Sequence, residues 1–82
     1  MDQVARTAKQ LANLLRQRRT ERGLTQAELA SRIALRQSTV SGLETSANVR
    51  TATLLSALAA LDLEMVIRPR TKTSAKDIEA LF

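Results

Sequence analysis

The side chains available for chemistry in this 82-residue chain are hydroxyls, amides, carboxylates and cations, because it contains neither histidine nor cysteine. Zinc sites, iron–sulfur clusters and disulfides depend on those two residues, so the composition excludes them. No pairing of carboxylates, lysines or hydroxyls suggests an acid, a base and a nucleophile. The two glycines, Gly23 and Gly42, do not make a phosphate-binding loop. We therefore expect neither an enzyme nor a protein that needs a metal or another cofactor.

The charge of the chain favours a polyanionic partner. Thirteen Lys and Arg against eight Asp and Glu give a formal net charge of +5. The arginines concentrate near the end of the first predicted helix and in the segment that follows, at Arg16, Arg18, Arg19, Arg22, Arg32, Arg36 and Arg50. An alternative is a solvated helix face whose cations are favoured near the helix C-terminus. Phe82 is the only aromatic residue, and single-stranded nucleic acids are bound on aromatic platforms, so a duplex is the expected partner.

The spacing of apolar residues predicts four helices, and hence a mainly α-helical fold. Thr7 and Gln10 form a candidate capping box for a first helix over Ala8–Arg22, which Gly23 ends. Thr25 and Glu28 form a better capping box for a second helix of about two turns. A third helix is predicted over Gln37–Glu44, with Val40 and Leu43 inward and small polar groups outward. A fourth begins at Thr51 or Thr53 and carries an apolar stripe of Leu54, Leu55, Leu58 and Leu61.

After Asp62 the period of the pattern changes to that of a strand. Leu63, Met65 and Ile67 alternate with Glu64, Val66 and Arg68, and Pro69 then removes a backbone donor. A lone strand leaves its backbone groups unpaired, so the expected partner is the same strand of a second subunit. The alternative is that these residues extend the fourth helix. A chain this short buries a modest core, and a homodimer would also supply stability. We expect residues 1–70 to form one domain and 71–82 a flexible tail.

The residues from Arg19 to Glu44 suit two short helices joined by a tight turn, in which Ala30 is small at the helix crossing and Leu35 fills the turn. This segment, with Gly23-Leu24-Thr25-Gln26 and Gln37-Ser38-Thr39-Val40-Ser41, resembles the Xre and Cro/repressor helix-turn-helix family. The resemblance covers residues 8–61. It implies a lambda-repressor-like domain of four to five helices whose third helix enters the major groove of DNA.

The resemblance also implies which residues read bases. Gln37 matches the first reading residue of the third helix, and an amide can pair twice with adenine. Arg36 stands where many relatives carry a small capping residue, so a cap is lost while a guanidinium gains reach toward guanine or phosphate. Ser38 and Ser41 match further positions that face the groove. The alternative for Gln37 is an ordinary solvated residue at a helix start.

Other matched positions imply phosphate contacts and a structural pair. The phosphate contacts are expected at Thr25, Gln26, Thr39, Ser46, Asn48 and Arg50, although a plain solvated loop is equally compatible with the last three. Arg19 and Glu44 match an arginine and a glutamate that meet to hold the third helix. Two positions depart from the family pattern. Ala34 replaces the usual glycine of the turn, at a cost of about 1 kcal/mol if its conformation is left-handed, and Gly42 removes one outward side chain.

Within the family, four helices followed by the segment Asp-Leu-Glu-Met-Val-Ile-Arg-Pro resemble HipB-type antitoxins. That resemblance implies a homodimer that represses its own operon at a two-fold operator and binds a HipA-type kinase toxin, with tail residues Ile78, Leu81 and Phe82 as toxin contacts. It also implies a bacterial cytoplasmic protein associated with the nucleoid. This expectation agrees with the apolar runs of the sequence, none of which is long enough for a membrane span. The alternatives are a free-standing regulator without a toxin and a helical interaction module without DNA function.

Overall fold

A computed structural model describes residues 3–70, which form four helices joined by short connections. Helix α1 is Ala8–Glu21, α2 is Gln26–Arg32, α3 is Gln37–Ser46 and α4 is Thr51–Ala60. The mainly helical class and the helix-turn-helix order are confirmed. No helix among these residues is both long enough and apolar enough to cross a membrane.

Local signals determine where α1 and α2 begin and where α1 ends. The Thr7 side chain accepts from the Gln10 backbone N–H, but the Gln10 amide oxygen accepts from the N–H of Arg6 rather than that of Thr7. Thr7 therefore caps α1, but the predicted capping box is incomplete, because the returning bond from Gln10 reaches the residue before Thr7. At α2 the box is complete, because Thr25 Oγ1 accepts from the Glu28 N–H and Glu28 Oε1 accepts from the Thr25 N–H. Gly23, with φ +70, ends α1 in the left-handed region that glycine adopts without strain.

The core lies where α3 crosses α1 and α2, and α4 closes it against α2. Its buried side chains alternate with exposed polar ones at helical spacing, as an amphipathic helix requires. The buried set is Ala12, Leu15, Leu24, Leu29, Ala30, Val40, Leu43, Ala57, Leu58 and Leu61. Ala30 is 3% exposed, so its small side chain permits the close approach predicted between α2 and its neighbours.

In the turn between α2 and α3, the backbone takes a left-handed conformation at an alanine rather than at a glycine. Ala34 has φ 56, and the Leu35 N–H donates to the Ala30 carbonyl at 3.0 Å to close the turn. The prediction that Leu35 fills the turn is wrong, because its side chain is 39% exposed. Ile33, one residue before the reversal, packs against the core in its place.

Helix α4 buries a narrower stripe than its sequence predicts. Leu54, Ala57, Leu58 and Leu61 follow the spacing i, i+3, i+4 and i+7 and face the core, whereas Leu55 is 47% exposed. Leu55 lies about 60° around the helix beyond the edge of that stripe, where the neighbouring helices do not cover it. The helix ends at Ala60, and Asp62 follows with φ 62.

Residues 63–70 do not continue α4, so the alternative of a longer fourth helix is wrong. They also form no strand within residues 3–70, where no second strand exists to pair with them. The predicted strand from Leu63 to Arg68 and its pairing across a dimer remain predictions. The predicted tail, with Ile78, Leu81 and Phe82, lies outside the described residues.

Candidate nucleic-acid interface

The outer face of α3 carries uncharged polar side chains and is open to solvent. Gln37, Ser38 and Ser41 are all exposed, on the side opposite the buried Val40 and Leu43. A Cβ built on Gly42 would meet no atom within 4 Å, so this face is also flat at that position. Such a surface presents hydrogen-bonding groups without bulk, which is what contact with base edges in a major groove requires.

Thr45 belongs to the same face, although the sequence analysis did not single it out. It is exposed and follows Ser38 and Ser41 at the spacing i, i+3 and i+7, a signal that the sequence pattern contains. Its hydroxyl donates to the Ser41 carbonyl at 2.7 Å. That bond uses the donor, so Thr45 offers only oxygen lone pairs to a ligand.

Arginines begin both α3 and α4. Arg36 and Arg50 occupy the N-cap positions with extended backbone, and neither helix has a side-chain cap. Both side chains are exposed, so their guanidinium groups extend from the helix starts into solvent. The expectation that Arg36 loses the helix cap is confirmed by the absence of a side-chain hydrogen bond there.

The loop from α3 to α4 places further polar groups beside Arg50. Ser46 is the last residue of α3 and Asn48 follows in the loop; both are exposed, and the Ser46 hydroxyl donates to the Gly42 carbonyl at 3.5 Å. Ala47 takes the left-handed φ of 54 that ends α3. Thr39, by contrast, is half-buried near the start of α3.

The start of α2 combines an exposed cap with a half-buried amide. Thr25 is exposed, and its capping box holds the pKa of Glu28 below the usual value, first through the Thr25 backbone N–H and then through the Thr25 hydroxyl. Gln26 is half-buried, and its Nε2 donates to Glu44 Oε1 at 3.3 Å. The amide therefore points toward the end of α3, a contact that spacing alone does not reveal.

Arg19 and Glu44 meet in the interior between α1 and α3. Arg19 Nε donates to Glu44 Oε2 at 2.5 Å and Nη2 to Oε1 at 3.0 Å, while Nη1 donates to the Leu24 carbonyl at 2.6 Å. The two side chains are 11% and 3% exposed. The hydrogen bond to Glu44 raises the pKa of Arg19 above its ordinary value despite partial burial. A two-pronged contact of this kind restrains both distance and orientation.

The arginine cluster at the end of α1 is not a single cationic surface. Arg19 faces Glu44, and Arg18 Nε donates to the Leu61 carbonyl at the end of α4 at 3.0 Å. Arg22 lies 3.7 Å from the Asp62 carboxylate, an exposed and therefore weak pair. Of the four arginines Arg16, Arg18, Arg19 and Arg22, Arg18 and Arg19 thus connect α1 to other helices. Residues 3–70 contain no group of three or more acidic side chains able to hold a metal ion.

Comparison with known proteins identifies the class to which this fold and surface belong. Residues 10–65 match the family model described as helix-turn-helix domain. A HipB–O2 20mer complex contains a chain that is 33% identical, with a TM-score of 0.79, and the match covers 87% of this chain and 100% of that chain. HipB in a complex with HipA, O2 and O3 is 32% identical, with a TM-score of 0.78 and coverage of 85% and 100%.

A third solved structure is a restriction-modification controller protein from Aeromonas hydrophila. It is 38% identical over 66% of this chain and 83% of its own, with a TM-score of 0.62. Comparison with curated proteins finds no match. The chain belongs to the helix-turn-helix domain family. Within it, the chain is of the Xre type and is similar to HipB over most of its length.

Proposed function

We propose that this protein binds a specific double-stranded DNA operator and represses transcription from it. The observation that carries the proposal is the exposed polar face of α3, held between α1 and α2 with arginines at its edge. Gln37, Ser38 and Ser41, with Arg36, would read bases. Phosphates would be held at Thr25, Gln26, Thr39, Ser46, Asn48 and Arg50. The relative HipB, which shares this fold, is bound to O2 20mer in its solved complex.

Fluorescence anisotropy with two labelled duplexes tests this proposal, one from upstream of the protein's own gene and one of random sequence. We expect tighter binding to the upstream duplex and a steep loss with salt, with a slope near about −0.9 in log–log form for each phosphate neutralised. A flat response to salt would refute direct binding to the phosphate backbone.

Replacement of Gln37 by alanine tests base reading. We expect Gln37→Ala to weaken binding to the upstream duplex by about fivefold to 160-fold, that is, about 1 to 3 kcal/mol, and to leave random binding unchanged. Asn13→Ala is the matched control, because Asn13 is an exposed amide residue of α1 and is none of the proposed DNA contacts. Equal losses on both duplexes would show that Gln37 does not read sequence.

We propose further that the domain of residues 1–70 dimerises through the segment of residues 63–68. Within residues 3–70, no backbone partner satisfies residues 64–70, while Met65, Val66 and Ile67 are 46%, 67% and 92% exposed. An open groove of about 930 Å³ lies between this segment, α1 and the residues that precede α1. Arg6 lines that groove, and its buried Nε has no partner among the described residues. A paired strand from a second copy would cover the apolar side chains and the backbone edge together.

Light scattering on the purified chain measures the dimer. The expected mass is twice 9.0 kDa. Val66→Pro removes one backbone donor, and Ile67→Asp adds a charge to the segment, so both are expected to shift the mass toward the monomer. Leu55→Asp is the control, because Leu55 is also a half-exposed apolar residue but lies on α4. A monomeric parent chain, or an unaltered mass for both segment variants, would contradict the proposal.

We propose that the repressor is the antitoxin of a HipA-like kinase toxin. The support is the similarity to HipB over 85% of this chain, in a structure that also contains HipA. The candidate toxin contacts are Ile78, Leu81 and Phe82. Co-expression with the product of the adjacent reading frame should give a complex and restore growth if that product is a kinase. Removal of residues 71–82 should then abolish the complex and preserve DNA binding.

A second candidate is a free-standing regulator with no toxin. The similarity to a restriction-modification controller protein, at 38% identity, favours this alternative. A non-kinase neighbour and failure of co-purification would select it over the antitoxin. Both candidates require the same operator binding, so the anisotropy experiment applies to each.

A further inference from the structure

The Glu44 carboxylate serves two partners from two other helices. Its Oε2 accepts from Arg19 of α1, and its Oε1 accepts both from Arg19 Nη2 at 3.0 Å and from Gln26 Nε2 of α2 at 3.3 Å. Glu44 is 7% exposed and is the one buried charged residue among those described. The buried Glu44 carboxylate on α3 thus contacts both α1, through Arg19, and the first residue of α2, Gln26.

The contact with Glu44 determines which way the Gln26 amide faces. An ionised carboxylate only accepts hydrogen bonds, so Gln26 must turn its NH₂ group, not its carbonyl, toward Glu44. The NH₂ group has two hydrogens, and this contact uses one. The second remains able to donate to an acceptor outside the protein, such as a phosphate oxygen.

The arrangement also removes an electrostatic problem. A free carboxylate beside a DNA phosphate would repel it, but Arg19 neutralises Glu44 through two hydrogen bonds, and little of Glu44 reaches solvent. Glu44 can therefore act as an acceptor for Gln26 without presenting a net negative charge to the ligand.

We propose that Glu44 is a positioning residue for DNA binding, which holds the Gln26 amide so that its free N–H donates to a phosphate. This inference rests on the proposed DNA-binding function. A glutamine side chain loses much rotational freedom when it is fixed, and prior fixing by Glu44 spares that loss on binding. The expected benefit is about fivefold to tenfold in affinity, the scale of the entropy of one long side chain. Glu44 itself touches no DNA in this scheme.

A double-mutant cycle tests the coupling between Gln26 and the pair beneath it. The variants are Gln26→Ala, the double replacement Arg19→Met with Glu44→Met, and the triple combination. Replacement of both ionic partners by apolar residues of similar size leaves no unpaired buried charge, so the double variant is expected to fold. Thermal unfolding of each variant gives the temperature at which all remain folded, and anisotropy on the upstream duplex is measured there.

We expect Gln26→Ala to weaken binding about fivefold to tenfold in the parent chain and less than about twofold in the Met–Met background. A role for Glu44 in folding alone predicts the same fold-loss in both backgrounds, and that result would overturn the inference. Asn13→Ala should show no coupling with the Met–Met pair. If the Met–Met variant fails to fold, Glu44→Gln replaces it, because its NH₂ group meets donors from Arg19 or Gln26 and disturbs the amide.

The measurements separate failure of the proposed function from failure of this inference. If the parent chain binds no duplex, the proposed function and the positioning role both fall. If the parent binds with sequence preference and the cycle is additive, only the positioning role of Glu44 is refuted.

Discussion

Removal of the Arg19 guanidinium should strongly destabilise this domain. Arg19→Met keeps much of the aliphatic stem but deletes the donors of three hydrogen bonds, two to Glu44 and one to the Leu24 carbonyl. The Glu44 side chain is 3% exposed and would remain in the interior without a counter-charge. The physical cost is therefore dominated by an uncompensated buried charge.

The magnitude is large relative to the stability of a chain of this length. Loss of one partner of a buried pair costs about 3–5 kcal/mol. At about 0.05–0.15 kcal/mol per residue, a chain of 82 residues is stable by roughly 4–12 kcal/mol. Arg19→Met should consequently remove about a quarter or more of the free energy of unfolding.

Urea unfolding followed by circular dichroism measures this loss. With a slope of about 1–1.5 kcal/mol per molar for a small domain, the midpoint should fall by at least about 2 M. All variants are compared at one protein concentration, because dimerisation would make stability depend on it. Arg16→Met is the control, since Arg16 is exposed on the same helix, and its change should stay within about 0.5 kcal/mol.

Two results would refute this explanation of the role of Arg19. A loss below about 1 kcal/mol for Arg19→Met would show that the pair contributes no more than a surface ion pair. The combined Arg19→Met and Glu44→Met variant should recover most of the lost stability. If it were as unstable as Arg19→Met, the unpaired charge would not be the cause.

Three further predictions concern the turn after α2, the middle of α3 and the start of α2. Ala34→Gly should raise the free energy of unfolding, measured in urea, by up to about 1 kcal/mol, because φ 56 strains a residue with a Cβ. As the control, Ala27→Gly inside α2 should lower it by about 1 kcal/mol. A loss of stability for both variants would contradict the left-handed turn at Ala34. Gly42→Ala should increase the free energy of unfolding by about 0.5–1 kcal/mol and thereby raise the melting temperature, because the added Cβ meets open space. A lower melting temperature would disprove this. The pKa of Glu28 is depressed in the folded chain, so its stabilisation is present above its ordinary value of 4.5 and is lost as pH falls through the lower folded pKa. Glu28→Gln should flatten that acid limb of a stability–pH curve, and an unchanged limb would count against the capping box.

Several features of this protein follow from residues close together in the chain. The box of Thr25 and Glu28, the left-handed end at Gly23 and the outward polar residues of α3 depend on contacts over three or four positions. Such signals are encoded locally, because a helix brings residues i, i+3 and i+4 together whatever surrounds it. The class of fold is therefore predictable from the sequence alone.

Other features depend on how the helices cross. Leu35 and Leu55 are apolar and were expected inside, yet both are substantially exposed, because Ala34 reverses the chain and α4 meets α2 along one narrow stripe. Apolar character states that a residue gains by burial but not which face a neighbour will cover. The proposed dimer strand depends on neither local spacing nor the packing of one chain, because its backbone partners would belong to a second copy.

The sequence by itself determined the helices, the capping box of α2 and the polar face of α3 that would read DNA, since each arises from neighbours along one helix. Only the tertiary structure decided that Arg18 holds the end of α4 and that Gln26 contacts Glu44. Those contacts join residues 43 and 18 positions apart in the chain. No periodicity encodes such a distance, because it is set by the packing of the helices around a common core.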